Sequence, residues 1–303
     1  MTRPSVFDVE TEQDSDLCPE PGVYRGVSFT EYCQWDACNH SKLKRIDKSP
    51  LHCRELPSYE KSAAIRLGQL VHAGKLEPDS VDSRYAVMPQ FELSPENKTG
   101  KGEQSTSTAT AYCKAKREAF TIQANKLNCT IVSQAEYDQY KTCLAAMLEN
   151  HQVTSLVNDG ESEVSIVWHD RHTGLRCKAR LDSVSDVLLD LKTSRDDGDF
   201  PLPLSFDYSL WKYSYYTQAA FYQDGWEAVT GQRLPFWFAV VSTNAPIQCI
   251  AAPVGEMTLN LGRDKNTERI SLYAQCKASG IWPGYESPEL FELPERYFPD
   301  EVN

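Results

Sequence analysis

Glu163, Asp182, Asp190 and Lys192 are the residues whose types and spacing point to chemistry. Glu163–His169 alternates as a strand, with Val164, Ile166 and Trp168 on one face. Leu175–Val184 reads as a second strand. After the tight turn Ser185-Asp186, Val187–Lys192 reads as a third. Residues two apart on a strand share a face, so Asp190 and Lys192 project together. Asp182 lies on the preceding strand of the hairpin, close enough for its carboxylate to approach Asp190. Glu163 sits on the strand before that. Three carboxylates and a lysine therefore converge on one edge of a small sheet. Neighbouring carboxylates repel when ionised. A divalent cation relieves the repulsion, and hard oxygen ligands suit Mg²⁺, with Mn²⁺ as a substitute. Such an ion lowers the pKa of a bound water and holds a phosphate oxygen. Lys192 adds positive charge where the attacked phosphate gathers negative charge. These are the parts that phosphodiester hydrolysis needs.

An Asp-x-Lys at a strand end is commonly a solvated ion pair of little consequence. Here it follows Val187-Leu188-Leu189, a run that reads as a buried central strand. Charges there are costly unless paired or liganded. His72 is a second candidate, one turn after Gly68 on a helix over about 59–75 whose apolar face is Ala64, Leu67 and Val71. The small Gly68 leaves room for another backbone, and imidazole is a common metal ligand. A third candidate is the helix expected over about 207–224. Tyr208, Trp211, Tyr215, Gln218 and Tyr222 recur there at helical steps as one stripe. Most of these rings read as core, but the Gln218 amide needs hydrogen-bond partners, which an active-site side chain would supply.

The elements that must position these residues are ordinary ones. Further helices are expected over about 29–36, 40–47, 112–126, 134–150 and 257–279, and strands over about 234–243 and 247–254. Asn39 or Ser41 can cap the second helix, and Ser49-Pro50 is expected to end it. Ser133 with Glu136 forms a capping box. Residues 84–93 read as a short extended segment. Residues 1–22 read as a flexible acidic tail and 23–303 as a single domain, with a mobile loop near 94–111. Helices, an antiparallel meander, a helix and further strands make a mixed α/β domain, a central sheet flanked by helices.

Lys plus Arg is 31 against 43 Asp plus Glu, for a net charge of −12, which excludes a wholly basic nucleic-acid coat. No apolar run reaches the ~18–20 residues of a membrane span, and the acidic N-terminus lacks an apolar leader. A cytoplasmic protein with no membrane partner is expected. The 10 cysteines include no CxxC pair and read as reduced thiols. Cys33, Cys38 and His40 are close in sequence but lack a second ligand pair at structural-zinc spacing.

These motifs together resemble the PD-(D/E)XK nucleases of the RecB-like branch, and more closely the exodeoxyribonuclease VIII (RecE) nuclease domain and its phage-type relatives. The resemblance runs from about residue 23. It rests on YRGVSFTEYCQWDACNHSKLKRIDKSPLHC, on LGQLVHAGKLEP with its Gly-x-x-x-His, and on NKTGKG. It rests further on the hairpin ESEVSIVWHDRHTGLRCKARLDSVSDVLLDLKTS and on YSYYTQAAFYQDG with its Tyr-x-x-Gln. Leu181 stands where the motif has Pro, a position that shapes backbone more than chemistry. The resemblance implies a restriction-endonuclease-like core. It implies a metal bound by His72, Asp182, Asp190 and the Leu191 carbonyl, with Glu163 supporting it directly or through water. Lys192 would orient or activate the attacking water, and Tyr215 and Gln218 would complete the site against the DNA backbone. It also implies Mg²⁺-dependent 5′-to-3′ digestion of double-stranded DNA ends, a ring-like homo-oligomer and a single-strand annealing partner in recombination. The iron–sulfur relatives carry a cysteine triplet after the nuclease motif. Here Cys249 and Cys276 alone follow Lys192, and no cluster is expected. The alternatives are an endonuclease or RNA-acting nuclease of the same fold, and a catalytically silent DNA-binding protein.

Overall fold

The computed structural model describes residues 18–55, 62–91, 111–195, 200–287 and 290. Residues 1–17 of the acidic tail, most of the 94–111 segment with NKTGKG, and the Pro-rich C-terminal end lie outside the described residues.

The strands are β1 (Gly22–Tyr24), β2 (Tyr85–Val87), β3 (Thr130–Val132), β4 (Glu161–His169), β5 (Arg176–Val184), β6 (Leu188–Ser194), β7 (Phe236–Ser242) and β8 (Cys249–Pro253). The helices are α1 (Phe29–Gln34), α2 (His40–Leu43), α3 (Pro50–Arg54), α4 (Ala63–Leu76), α5 (Val81–Arg84), α6 (Ala111–Lys126), α7 (Gln134–Glu149), α8 (His151–Asn158), α9 (Leu202–Lys212), α10 (Tyr215–Thr230) and α11 (Glu256–Ser279). A six-stranded sheet runs β1-β4-β5-β6-β7-β8, and β2 and β3 make a separate parallel pair. In the main sheet β6 and β7 are parallel and every other neighbour is antiparallel, so the sheet is mixed.

Both faces of the sheet are covered, which is why the β6 sequence is apolar on successive positions. Val164, Ile166 and Trp168 share one core with Leu181, Leu188, Phe236 and Phe238, packed on α10 and α11 through Ala219, Phe221, Leu259 and Ile270. Leu189, Leu191, Ala239 and Val241 form the other core with Leu67, Leu70 and Val71 of α4 and Cys143 and Met147 of α7. The capping box at Ser133 and Glu136 is present, and Asn39 caps α2 through Lys42 N.

The helical stretch that begins at His40 stops at Asp47, just before Ser49-Pro50 as expected, and the same pair begins α3, with Pro50 in the first turn, where a missing N–H costs nothing. One expectation is corrected. The helix expected over 207–224 is two helices. Ser214, at φ 56° and ψ 36°, turns the chain between α9 and α10. The aromatic stripe is divided with it. Tyr208 and Trp211 on α9 are exposed, while α9 buries Leu202 and Phe206 instead.

Candidate active site

Each side chain of the site is held by its own element. Ser62 caps α4 by accepting from Ile65 N, and Leu70, Val71 and Ala73 pin the turn around His72 into the core. A Cβ at Gly68 would stand 3.0 Å from Thr193 Oγ1, so the close neighbour is a β6 side chain rather than the backbone expected from sequence.

β4 and β5 hold Glu163 and Asp182 opposite one another. Ser162 pairs with Ser183 and Val164 with Leu181, and Glu163 between them has φ 59°. Left-handed backbone at a non-glycine residue costs about 1–3 kcal/mol and persists where its surroundings over-determine it. Arg180 holds the Glu163 carboxylate in place. Its Nε donates to Glu163 Oε2, and its Nη1 donates to Val27 O at 2.7 Å and Ser165 Oγ at 3.3 Å. Its Nη2 lies 3.7 Å from Glu77 Oε1.

β5 and β6 share the rungs Ser183–Leu189 and Val184–Leu188. Just beyond them Asp182 Oδ2 accepts the Leu191 N–H at 2.7 Å, taking the place of the carbonyl that a further rung would offer.

His72 Nε2 lies 2.9 Å from Asp182 Oδ1, and Nδ1 lies 3.3 Å from Glu163 Oε1. Both ring nitrogens donate only in the imidazolium form. Burial pulls His72 down, but the charge of Asp182, the hydrogen bond to it and the charge of Glu163 prevail and raise its pKa to about 9. Burial pushes Asp182 up. The imidazolium, Lys192 and the Leu191 N–H outweigh that and hold it below the usual carboxylate range. Glu163 and Asp190 move the other way. Burial and the charge of Asp182 raise both, Asp190 to about 6.

The two oxygens of Asp190 serve a second group. Oδ1 accepts from Gln218 Nε2 at 2.7 Å, which supplies the partner that Gln218 needed, and Oδ2 accepts from Lys192 Nζ. Lys192 Nζ sits 4.8 Å from the Tyr215 ring centre and 5.7 Å from that of Phe238. Burial favours the neutral amine, but Asp190 and Asp182 raise Lys192 above its ordinary value. It is a fixed cation at neutral pH.

The sequence-predicted residues thus gather in two adjoining sets. His72, Glu163 and Asp182 converge, with ligand atoms all within 4.8 Å of one another. Asp190, Lys192, Tyr215 and Gln218 form the other set, and Leu191 enters through its N–H. The first set fits a hard divalent ion: one imidazole nitrogen and two carboxylates, with the imidazolium standing where a cation is needed. Cys33, Cys38 and His40 serve separate surroundings. Cys33 is exposed, Cys38 pairs through its main chain with Cys177, and His40 is buried on Thr217.

Sequence reading missed the support beneath α10. Ser214 gives that helix no side-chain cap. Instead Thr217 Oγ1 donates to Ser214 O at 2.7 Å, accepts from Arg269 Nη1 at 2.9 Å and meets His40 Nε2 at 2.7 Å. Burial drives His40 down to about 3, so it is neutral and donates through Nε2–H. Arg269 is paired with Asp47, and Asn266 Nδ2 donates to Thr217 O at 2.8 Å. This network fixes the turn that presents Tyr215 and Gln218. Its partners are up to 222 positions apart, and no local pattern announces them. Arg180 did carry a signal, standing two residues before Asp182 on the same strand.

Residues 28–293 match the family model described as a PDDEXK-like domain of unknown function (DUF3799), and the chain belongs to this family. Nucleases of this fold generally use divalent metals, in keeping with the carboxylate and histidine cluster. The chain is similar to a crystal structure from Eubacterium rectale named as a "Putative exonuclease". The two are 16% identical over 86% of this chain and 90% of that chain, with a TM-score of 0.55, a likeness of fold. The structure of SSO0001 is 13% identical over 80% of this chain and 86% of that chain, but its TM-score of 0.24 bears on nothing here. No curated protein matches the sequence significantly. Among the described residues no helix is long and apolar enough to cross a membrane.

Proposed function

We propose that the chain is a divalent-metal-dependent exonuclease of the exodeoxyribonuclease VIII type, hydrolysing phosphodiester bonds of linear double-stranded DNA from its ends, 5′ to 3′. One observation carries this reading. A histidine and two carboxylates converge beside a half-buried Lys192 that is held by Asp190 on the same strand. The family description and the name of the E. rectale protein support it. Mg²⁺ or Mn²⁺ would be held by His72 and Asp182, with Glu163, Asp190 and the Leu191 carbonyl as further donors. When bound, it supplies charge to acidify water and to neutralise a phosphate oxygen.

The chain's own groups do the rest. Arg180 fixes the Glu163 carboxylate, and the Leu191 N–H fixes that of Asp182. Lys192, cationic and confined between Asp190 and the Tyr215 ring, orients the attacking water and opposes charge that builds on the phosphate. Gln218 keeps Asp190 aimed at Lys192. A homo-oligomer and a single-strand annealing partner belong to the same reading.

The test compares end-labelled linear duplex with closed circular DNA in Mg²⁺. Loss of the linear form alone is expected, with cleavage abolished in Lys192→Ala while the fold and some DNA binding remain. Degradation of the circle at a similar rate refutes the exonuclease, and full activity of the variant refutes the assignment of Lys192.

A further inference from the structure

A row of aromatic rings leads from Lys192 out to solvent. Lys192 Nζ lies 4.8 Å from the Tyr215 ring centre, and the Tyr215 and Tyr213 centroids are 5.6 Å apart. Lys212 Nζ stands 5.5 Å from the rings of both Tyr213 and Tyr208, and Tyr208 and Trp211 are 6.2 Å apart. Exposure grows along the row, from half-buried Tyr215 to 44% at Tyr213, 59% at Tyr208 and 68% at Trp211. The break at Ser214 creates this arrangement. A continuous helix would have carried Tyr208 and Trp211 onto the half-buried stripe of Tyr215 and Tyr222.

A contiguous row of exposed rings marks an interaction surface. Three features bear on what it would take. The rings are aromatic rather than aliphatic, and every nucleobase offers a π-face to stack on. Cations punctuate the row: Lys192 at its inner end, Lys212 between two rings, and Lys44, whose Nζ donates to Tyr213 O at 2.7 Å. On a chain of net charge −12, such local cations are where a phosphate backbone would be held. Finally, the inner end is Tyr215, itself in contact with Lys192. Rings with flanking cations are the means by which proteins bind single strands without sequence preference.

We infer that Tyr213, Tyr208 and Trp211 form a stacking track for unpaired bases of the DNA strand adjoining the linkage to be cut. This rests on the nuclease reading above and adds the form of the substrate there: a frayed, single-stranded end rather than intact duplex.

The experiment measures anisotropy of labelled oligothymidylate and of an abasic strand of equal length, in EDTA so that nothing is cleaved. The wild type is expected to prefer the strand with bases by about fivefold or more. Tyr208→Ala/Trp211→Ala is expected to lose the preference while keeping its weak binding of the abasic strand, and Trp211→Phe to retain it. Equal binding of both strands by the wild type, or an undiminished preference in the double alanine variant, overturns the track. So does a double variant that changes only the sedimentation mass, since the stripe is then a subunit contact. Digestion of linear duplex by the wild type is assayed separately. Digestion without base preference sinks the track alone, and base preference without digestion sinks the nuclease reading.

Discussion

Replacing Thr217 by Val tests whether the buried network under α10 is what holds the catalytic face. The substitution conserves volume and removes one hydroxyl, which is fully buried and makes three hydrogen bonds. Losing the donation to Ser214 O removes a bond worth about 1 kcal/mol net. Leaving Arg269 Nη1 without an acceptor costs about 1–3 kcal/mol, toward the upper end because the group is charged. His40 is neutral and can shift its proton to Nδ1, so its share is small. The expected loss is about 3 kcal/mol, a large part of the ~5–15 kcal/mol of a typical domain yet compatible with folding. Urea unfolding with an unchanged m-value is the assay. Thr217→Ser keeps the hydroxyl and is expected to cost less than half as much. The turn carries Gln218, so Thr217→Val is also expected to lower the rate of DNA cleavage more than Thr217→Ser at a temperature where both are folded. A loss below about 0.5 kcal/mol, the size of an ordinary surface substitution, would refute the reasoning. So would equal damage from serine and valine.

Other expectations follow from single contacts. A Cβ at Gly262 would lie 2.5 Å from Tyr216 O, a backbone atom, so Gly262→Ala must part α10 from α11. A loss of about 1–3 kcal/mol is expected in thermal unfolding, and a neutral outcome would show that the helices yield easily. His72 has its pKa raised to about 9 in the folded chain, from an ordinary 6.5. Its contribution is therefore complete below pH 6.5 and is lost as pH rises through 9. His72 is about one-third exposed (32%), so solvent screening reduces the effect to about 1–2 kcal/mol. Metal-free unfolding at pH 6 and pH 9.5 measures it, and His72→Gln should flatten the difference.

Much of the site was legible because strand alternation is a strict period. Asp190 and Lys192 had to share a face, and a short hairpin had to bring Asp182 near them. The apolar run before Asp190 foretold a strand covered on both sides. The helix break at Ser214 was not legible. Residues 207–224 keep a helical period in their apolar residues, and the left-handed serine sits beside Thr217, whose hydroxyl is bonded by partners on α2 and α11 distant in sequence. The division of the site into two sets was equally hidden. It depends on Lys192 and Gln218 both reaching Asp190, and spacing alone does not say which carboxylate a long side chain will choose.

The most direct measurement is anomalous diffraction from crystals soaked in Mn²⁺. A peak in contact with His72 and Asp182, lost in Asp182→Asn, is the expected result. A peak elsewhere, or none at these residues with the carboxylates still bonded to the imidazolium, would contradict the claim that this cluster is a metal centre.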